Sequence, residues 1–176
     1  YRVMLEGLST LERDMHQRSA AVDPSGEPRP RSLDTSDIRE LLLGNLTHPR
    51  WQQVAERQGG LLDVLLATDF ATSGTVFFSY AEPRGGFSNG TSVVRAKLVL
   101  EGDSGRIENG EVIFRQDPPA RSFYHFGSRL VFDGKGALFV TTGERADLSD
   151  SSQDLATHLG KVIRITDTGA IPADNP

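Results

Sequence analysis

The sequence FYHFGSRLVFDGKGALFVTTGE, residues 123–144, decides the fold. Residues 129–132 and 137–142 are short runs of apolar and β-branched side chains, a composition typical of strands. Asp-Gly-Lys-Gly at 133–136 lies between them and tolerates the positive φ angles of a tight turn. The stretch therefore predicts a β-hairpin with His125 directly before its first strand, where loops commonly carry chemistry.

A second strand pair repeats this pattern upstream, at residues 60–66 and 75–80. The first of these strands is nearly all apolar, which predicts an inner strand packed on both faces. Residues 83–90 predict a loop by composition, and three more strands are predicted at 91–100, 112–116 and 160–165. Repetition of a hairpin unit favours a radial, all-β architecture.

Three ordered blocks of this sequence resemble the signature of the glucose/sorbosone dehydrogenase family. The blocks are QGGLLDV at 58–64, HFGSRL at 125–130 followed by TTG at 141–143, and HLGKV at 158–162 followed by IPADNP at 171–176. Members of that family, such as the soluble aldose sugar dehydrogenases, are six-bladed β-propellers that use pyrroloquinoline quinone (PQQ) and calcium to oxidise sugars. The resemblance is close from about residue 58 to residue 176 and patchy before that.

The chain length limits how much of such a propeller is present. At roughly 40 to 50 residues per blade, 176 residues supply about half a ring. The chain also begins at Tyr1 without a methionine and stops within the family pattern. The resemblance therefore implies an all-β fold, a partial six-bladed β-propeller formed by the N-terminal half, with a short N-terminal helical insertion.

Two regions are expected within the chain. Residues 1–57 are interpreted as a degraded or divergent first-blade region, with a Pro-rich linker at 27–31 and a short helix at 37–44 that begins at a capping residue and stops at Gly44. Residues 58–176 are interpreted as propeller blades that carry the family signature and form an incomplete domain.

Composition excludes several classes of partner. The formal net charge is −5 with acidic and basic residues interspersed, so no basic stripe is available for nucleic acid. No charged-then-apolar leader or long apolar run is visible, and neither a signal peptide nor a membrane span is predicted. Cysteine is absent, which excludes disulfides and thiolate metal sites. The compartment follows only from the resemblance, which implies a periplasmic or secreted protein.

His125 is the candidate catalytic residue. A neutral imidazole can accept the proton of a sugar hydroxyl near neutral pH. From spacing alone an ordinary surface histidine is the better interpretation, and the following Phe-Gly-Ser-Arg-Leu reverses that preference. The resemblance implies that His125 is the general base, that a sugar is the substrate, and that an external acceptor reoxidises the quinone.

Gln58 is the candidate cofactor-binding residue. As an isolated residue it is better interpreted as capping a strand end, whereas its QGGLL context matches a family glutamine beside the substrate and the quinone. Calcium and most PQQ contacts are expected beyond residue 176, so no metal ligand is assigned. Tyr124 and Glu144 depart from the family pattern, since an acid and an Asp, respectively, are found there in relatives.

Two functions of different kinds remain open at this point. The leading hypothesis is a PQQ-dependent dehydrogenase that oxidises the anomeric hydroxyl of aldose sugars. The alternative is a non-catalytic extracellular propeller that binds a ligand or a protein, because fold alone does not decide function.

Overall fold

The computed structural model describes residues 35–45, 54–101 and 104–175. These residues form two helices, one 3-10 helix and seven strands: α1 (Thr35–Asn45), β1 (Leu61–Leu66), α2 (Phe70–Ser73), β2 (Thr75–Gly85), β3 (Ser88–Glu101), β4 (Ser104–Arg115), β5 (Gly127–Phe132), β6 (Ala137–Thr142), the 3-10 helix (Ser149–Gln153) and β7 (Val162–Thr166). The strands make two antiparallel sheets, which we call sheet 1, with the order β1-β2-β3-β4, and sheet 2, with the order β5-β6-β7.

The predicted strands are confirmed, and the predicted hairpin of residues 123–144 is β5 and β6. Its turn is fixed by Asp133, whose carboxylate accepts hydrogen bonds from the backbone N–H groups of Lys135 at 2.6 Å and Ala137 at 3.0 Å. The predicted loop at 83–90 is wrong in extent. Pro83 pairs with Asn89 in the β2–β3 ladder, so only the tip of the hairpin lies outside the strands.

Sheets 1 and 2 pack face to face through one apolar core. In β6 the core residues Leu138 and Val140 alternate, because successive side chains of a strand point to opposite faces, whereas β4 contributes the consecutive residues Ile113 and Phe114. The Phe77 and Phe132 rings meet edge to face, with 5.2 Å between their centroids. The buried members of the core are Phe77, Val93, Ile113, Phe114, Leu130, Leu138, Val140 and Ile165.

The expectation that residues 60–66 pack on both faces is met only in part by β1. Leu61 and Val64 of β1 are buried and its other four residues are half-buried, because β1 lies at the edge of sheet 1. In β2, six consecutive residues from Val76 to Ala81 are buried. The second strand of the sheet, with a neighbour on each side, therefore has both of its faces covered.

The predicted short helix is confirmed as α1, which packs against β1 and β4. Ile38 and Leu42, one helical turn apart, are fully buried, and Arg39 donates a hydrogen bond to the carbonyl oxygen of Leu61 at 2.9 Å. This helix belongs to a compact unit that spans Thr35–Pro176.

The other compact unit, Tyr1–Asp34, lies outside the described residues. The Pro-rich linker and much of the region interpreted as a divergent first blade fall within residues 1–34, so both interpretations stay predictions, as does a division of the chain at residue 57. Among the described helices, none combines the length and the apolar character that a membrane span requires.

Candidate active site

Three segments of chain meet at one end of the two sheets. Gln58 precedes β1, His125 precedes β5 and Glu144 follows β6. Because β5 and β6 are antiparallel and Gly127 pairs with Thr142, the start of one strand and the end of the other lie at the same edge. The structure therefore brings together the two residues predicted from sequence and adds a third.

Two glycines allow the backbones of these segments to touch. Gly127 has a φ of +73°, which glycine adopts at little cost, and a Cβ at this position would lie 2.8 Å from the Gly143 nitrogen. A Cβ at Gly143 would overlap the carbonyl oxygen of His125. With no side chain in the way, Gly143 N–H donates a hydrogen bond to the carbonyl oxygen of Phe126 at 3.0 Å.

His125 is held from both sides. Its backbone N–H donates a hydrogen bond to Gln58 Oε1 at 2.9 Å, and the Gln58 N–H donates to the carbonyl oxygen of Phe123 at 3.2 Å. The imidazole Nδ1 is in hydrogen-bond contact with Glu144 Oε1. The side chain is 51% exposed, so solutes have access to the ring.

Glu144 fixes the tautomer of this imidazole. The hydrogen bond to His125, followed by backbone N–H groups including that of Ala146, lowers the pKa of Glu144 below its usual value. An ionised carboxylate can only accept hydrogen bonds, so Nδ1 of His125 carries the proton. In the neutral ring, Nε2 is then left with a free lone pair, which no described residue occupies with a hydrogen bond.

Glu144 was singled out in the sequence only as a longer replacement for the Asp of relatives, and its partnership with His125 was missed. A signal for it exists in the hairpin register. His125 and Glu144 stand symmetrically, two residues outside the Gly127–Thr142 pair, so the antiparallel pairing predicts that they are neighbours. The additional methylene of Glu does not prevent its carboxylate from reaching the imidazole.

A buried hydroxyl network lies beneath His125 and joins the two sheets. Thr91 Oγ1, on β3, donates a hydrogen bond to the carbonyl oxygen of Phe126 at 3.0 Å. Ser79 Oγ, on β2, donates to the carbonyl oxygen of Ser128 at 2.9 Å. Both hydroxyl residues are fully buried, and buried polar groups that are satisfied in this way specify one arrangement of the backbone. The start of β5 is therefore fixed to sheet 1.

Asp63 makes a second link between the sheets. Its Oδ2 accepts a hydrogen bond from the Leu130 N–H at 2.8 Å, and its Oδ1 lies 3.2 Å from the guanidinium of Arg129. The single acidic residue of β1 therefore links sheet 1 to β5 of sheet 2. The Arg129 side chain of this ion pair is 64% exposed.

Of the other histidines, His158 is described by the structure, and it lies outside this site. His16 and His48 lie outside the described residues. The imidazole of His158 accepts a hydrogen bond from the Asp117 N–H at 3.1 Å and packs 5.4 Å from the Phe114 ring, which is a structural role. Within residues 35–45, 54–101 and 104–175, no group of three or more His, Asp or Glu side chains is placed to hold a metal ion.

Comparisons with known proteins bear on the family and the fold of this chain. A family model described as Glucose / Sorbosone dehydrogenase matches residues 37–176. Aldose sugar dehydrogenase YliI of Escherichia coli is 45% identical over 122 residues, which are 69% of this chain and 32% of that protein. The range that the family model matches includes most of α1, which was expected to be an insertion.

Two solved structures extend the similarity to the fold. The soluble aldose sugar dehydrogenase (Asd) from Escherichia coli, in its apo form, has a TM-score of 0.64 at 45% identity, covering 70% of this chain and 35% of that chain. The PQQ-bound form of aldose sugar dehydrogenase from Streptomyces coelicolor has a TM-score of 0.57 at 26% identity, covering 70% and 35%. The similarity confirms the predicted partial propeller, and the chain spans about a third of the length of these relatives.

Proposed function

The chain belongs to the glucose/sorbosone dehydrogenase family, and from this premise we propose that it is part of a PQQ-dependent dehydrogenase that oxidises the anomeric hydroxyl of aldose sugars. The observation that carries the proposal is the contact of the half-exposed His125 imidazole with the Glu144 carboxylate. The relatives are sugar dehydrogenases by name, and one of them is bound to PQQ.

In the proposed reaction His125 is the general base. Its Nε2 accepts the proton of the anomeric hydroxyl. The C–H bond of the same carbon breaks, and the hydrogen leaves with the bonding electron pair as hydride. A carbonyl forms at that carbon, so a cyclic aldose becomes a lactone. PQQ, when bound, supplies the acceptor for the hydride, which no protein side chain can do.

Glu144 supports this base in two ways. Its carboxylate holds Nδ1–H, which keeps the Nε2 lone pair available and orients the ring. When Nε2 takes up a proton, the adjacent negative charge stabilises the imidazolium that forms. The lowered pKa of Glu144 keeps its carboxylate ionised at neutral pH.

Gln58 is proposed to serve both the base and the cofactor. Its amide oxygen is used by the His125 N–H, whereas its amide NH2 group makes no hydrogen bond to a described residue. That group is available for a carbonyl or hydroxyl oxygen of the quinone or the sugar. The residues present fit the substrate side of such a site, and we expect the calcium ligands and the remaining PQQ contacts beyond residue 176.

The test uses the full-length protein with saturating PQQ and calcium and an artificial dye as electron acceptor. His125→Gln keeps a hydrogen-bonding group of similar volume, so PQQ binding, read from the quinone absorbance, should persist. Turnover should fall about a hundred- to ten-thousand-fold, the usual contribution of a positioned base. The matched control is His158→Gln, which removes a structural imidazole and should leave turnover within about a few-fold of the original.

Three outcomes would contradict the proposal. Turnover of His125→Gln near that of the original protein would remove the base assignment. Loss of activity together with PQQ binding would make His125 a cofactor contact instead. A full-length protein that binds a sugar but does not bind PQQ and does not reduce the dye would point to the non-catalytic binding module.

A further inference from the structure

Arg145 is the largest fully buried side chain of the described residues, with 0% of its surface exposed. No carboxylate among the described residues lies within ion-pair distance of it. Burial lowers the pKa of Arg145 to about 10, with the charge of Glu144 acting in the opposite direction, so the guanidinium remains a cation at neutral pH. An unpaired buried charge is costly unless hydrogen bonds compensate for it.

The compensation comes from oxygen atoms of two neighbouring segments. Arg145 Nε donates a hydrogen bond to the carbonyl oxygen of Tyr124 at 2.9 Å, and Nη2 donates to the carbonyl oxygen of Ser122. Nη2 also donates to Asn89 Oδ1 at 2.7 Å, at the start of β3. The guanidinium carbon lies 3.8 Å from the centroid of the Phe126 ring, close enough for a cation–π interaction.

These contacts surround His125 in the sequence. Ser122 and Tyr124 precede it and Phe126 follows it, while Arg145 itself follows Glu144. One planar fork therefore holds the loop that carries the base against the segment that carries its carboxylate partner. Lysine, with a single ammonium group, cannot reproduce this geometry.

The backbone of both segments is strained. His125 has a φ of +50°, Arg145 of +65° and Ala146 of +67°, all in the left-handed region that side chains other than glycine rarely adopt. Such conformations persist only where the surrounding structure determines them, and they cluster at functional sites. The hydrogen bonds of Arg145 are of the kind that can impose this conformation on the loop.

We propose that Arg145 is a positioning residue for the His125–Glu144 pair, which holds the His125 loop in its left-handed conformation so that Nδ1 meets the Glu144 carboxylate. This inference rests on the proposed function of His125. Arg145 is fully buried and acts only through the loop, so its removal should change the orientation of the base and leave the affinity for ligands nearly unchanged.

The test compares Arg145→Lys with the original full-length protein. We expect turnover to fall about ten- to a hundred-fold, the scale of a misplaced catalytic group, with the KM for sugar and the affinity for PQQ changed less than about three-fold. Combined with Glu144→Gln, the loss should be smaller than the product of the two separate losses, because both changes act on the same pair. Arg164→Lys, at the partly exposed pair with Asp174, is the matched control and should change none of these three quantities.

A readout without PQQ separates this inference from the proposed function. In protein labelled with 15N-histidine, the original should show His125 protonated at Nδ1, and Arg145→Lys should show a mixture of tautomers. An unchanged tautomer together with unchanged turnover would overturn the positioning role. A changed tautomer while His125→Gln remains fully active would instead overturn His125 as the base and leave the positioning role intact.

Asn89→Ala provides a second variant if Arg145→Lys does not fold. Asn89 Nδ2 is buried without a hydrogen-bond partner in the described part of the chain, so this change removes an unsatisfied donor together with the acceptor that Arg145 uses. Asn89→Ala should lower turnover a few-fold. In the double variant with Glu144→Gln, the loss should again be smaller than the product of the two separate losses. If the loss in the Asn89→Ala, Glu144→Gln double variant equals the product of the two separate losses, Asn89 and Arg145 contribute to stability alone and the inference is overturned.

Discussion

The meeting of His125 and Glu144 depends on residues that have no chemistry of their own. Gly127 and Gly143 let the two backbones come into contact, and Gln58 Oε1 accepts a hydrogen bond from the His125 N–H. The imidazole therefore has one nitrogen committed to a carboxylate and one available for a ligand. This division of roles between the two nitrogens is what a general base requires.

Glu144→Gln tests this division at the scale of a single residue. The amide keeps the size of the side chain and can still accept from Nδ1–H, but it no longer stabilises the imidazolium by charge. We expect turnover in the full-length protein to fall by about a hundred-fold, with PQQ binding retained. Glu108→Gln, at an exposed ion pair on β4, is the control, and equal turnover of the two variants would show that the carboxylate has no part in the reaction.

At the scale of the elements, sheet 1 contains a charge cluster away from its apolar core. Glu82 on β2 accepts hydrogen bonds from Ser92 on β3 at 2.7 Å and from Arg115 on β4 at 2.9 and 3.1 Å, and it lies 2.7 Å from Arg84. Burial acts to raise the pKa of Glu82, but these hydrogen bonds and charges outweigh it and hold the pKa below its usual value. Three strands are thus linked through one carboxylate.

This shift predicts how stability depends on pH. A carboxyl group whose pKa is lowered on folding stabilises the folded state above its unfolded pKa, about 4.3 for Glu, and loses that contribution as the pH falls through the folded pKa. Glu82→Gln should therefore lower the free energy of unfolding by about 1–3 kcal/mol at pH 7 and by progressively less below about pH 4.3. Urea unfolding of the full-length protein across this range measures the effect, and a difference that does not vary with pH would contradict it.

At the scale of the whole molecule, the two sheets form only part of a ring. The chain spans about a third of the length of its relatives, and no further strand among the described residues pairs with the edge strands β4 and β7. Val131 and Val162 of sheet 2 are 52% and 68% exposed. Open edges and exposed apolar side chains favour pairing with another chain.

We therefore expect the isolated 176-residue chain to reduce no dye with sugar, PQQ and calcium, because most of the cofactor contacts are expected elsewhere in the ring. In size-exclusion chromatography it should associate as its concentration rises. The full-length protein at equal concentration is the control for both measurements. Sustained PQQ-dependent dye reduction by monomeric 176-residue chain would show that the site is complete within this part of the propeller.

The sequence by itself determined the local structure and the region of the site. Alternating apolar residues, the Asp-Gly-Lys-Gly turn and the capped run that became α1 are local signals, because each depends on neighbours a few residues apart. They predicted the hairpin of β5 and β6 and the helix. His125 and Gln58 followed from motif context, and their catalytic and cofactor-binding roles stay predictions.

Only the tertiary structure decided how these residues are combined. Gln58 and His125 are 67 residues apart, and His125 and Glu144 are 19 apart, so their contacts depend on how the sheets pack and on the register of the hairpin. The burial of Arg145 likewise depends on segments that begin at Asn89 and Ser122. From sequence alone, a charged residue in a polar loop is predicted to be exposed to solvent. Only the tertiary packing buries Arg145, because the carbonyl groups around it come from distant parts of the chain.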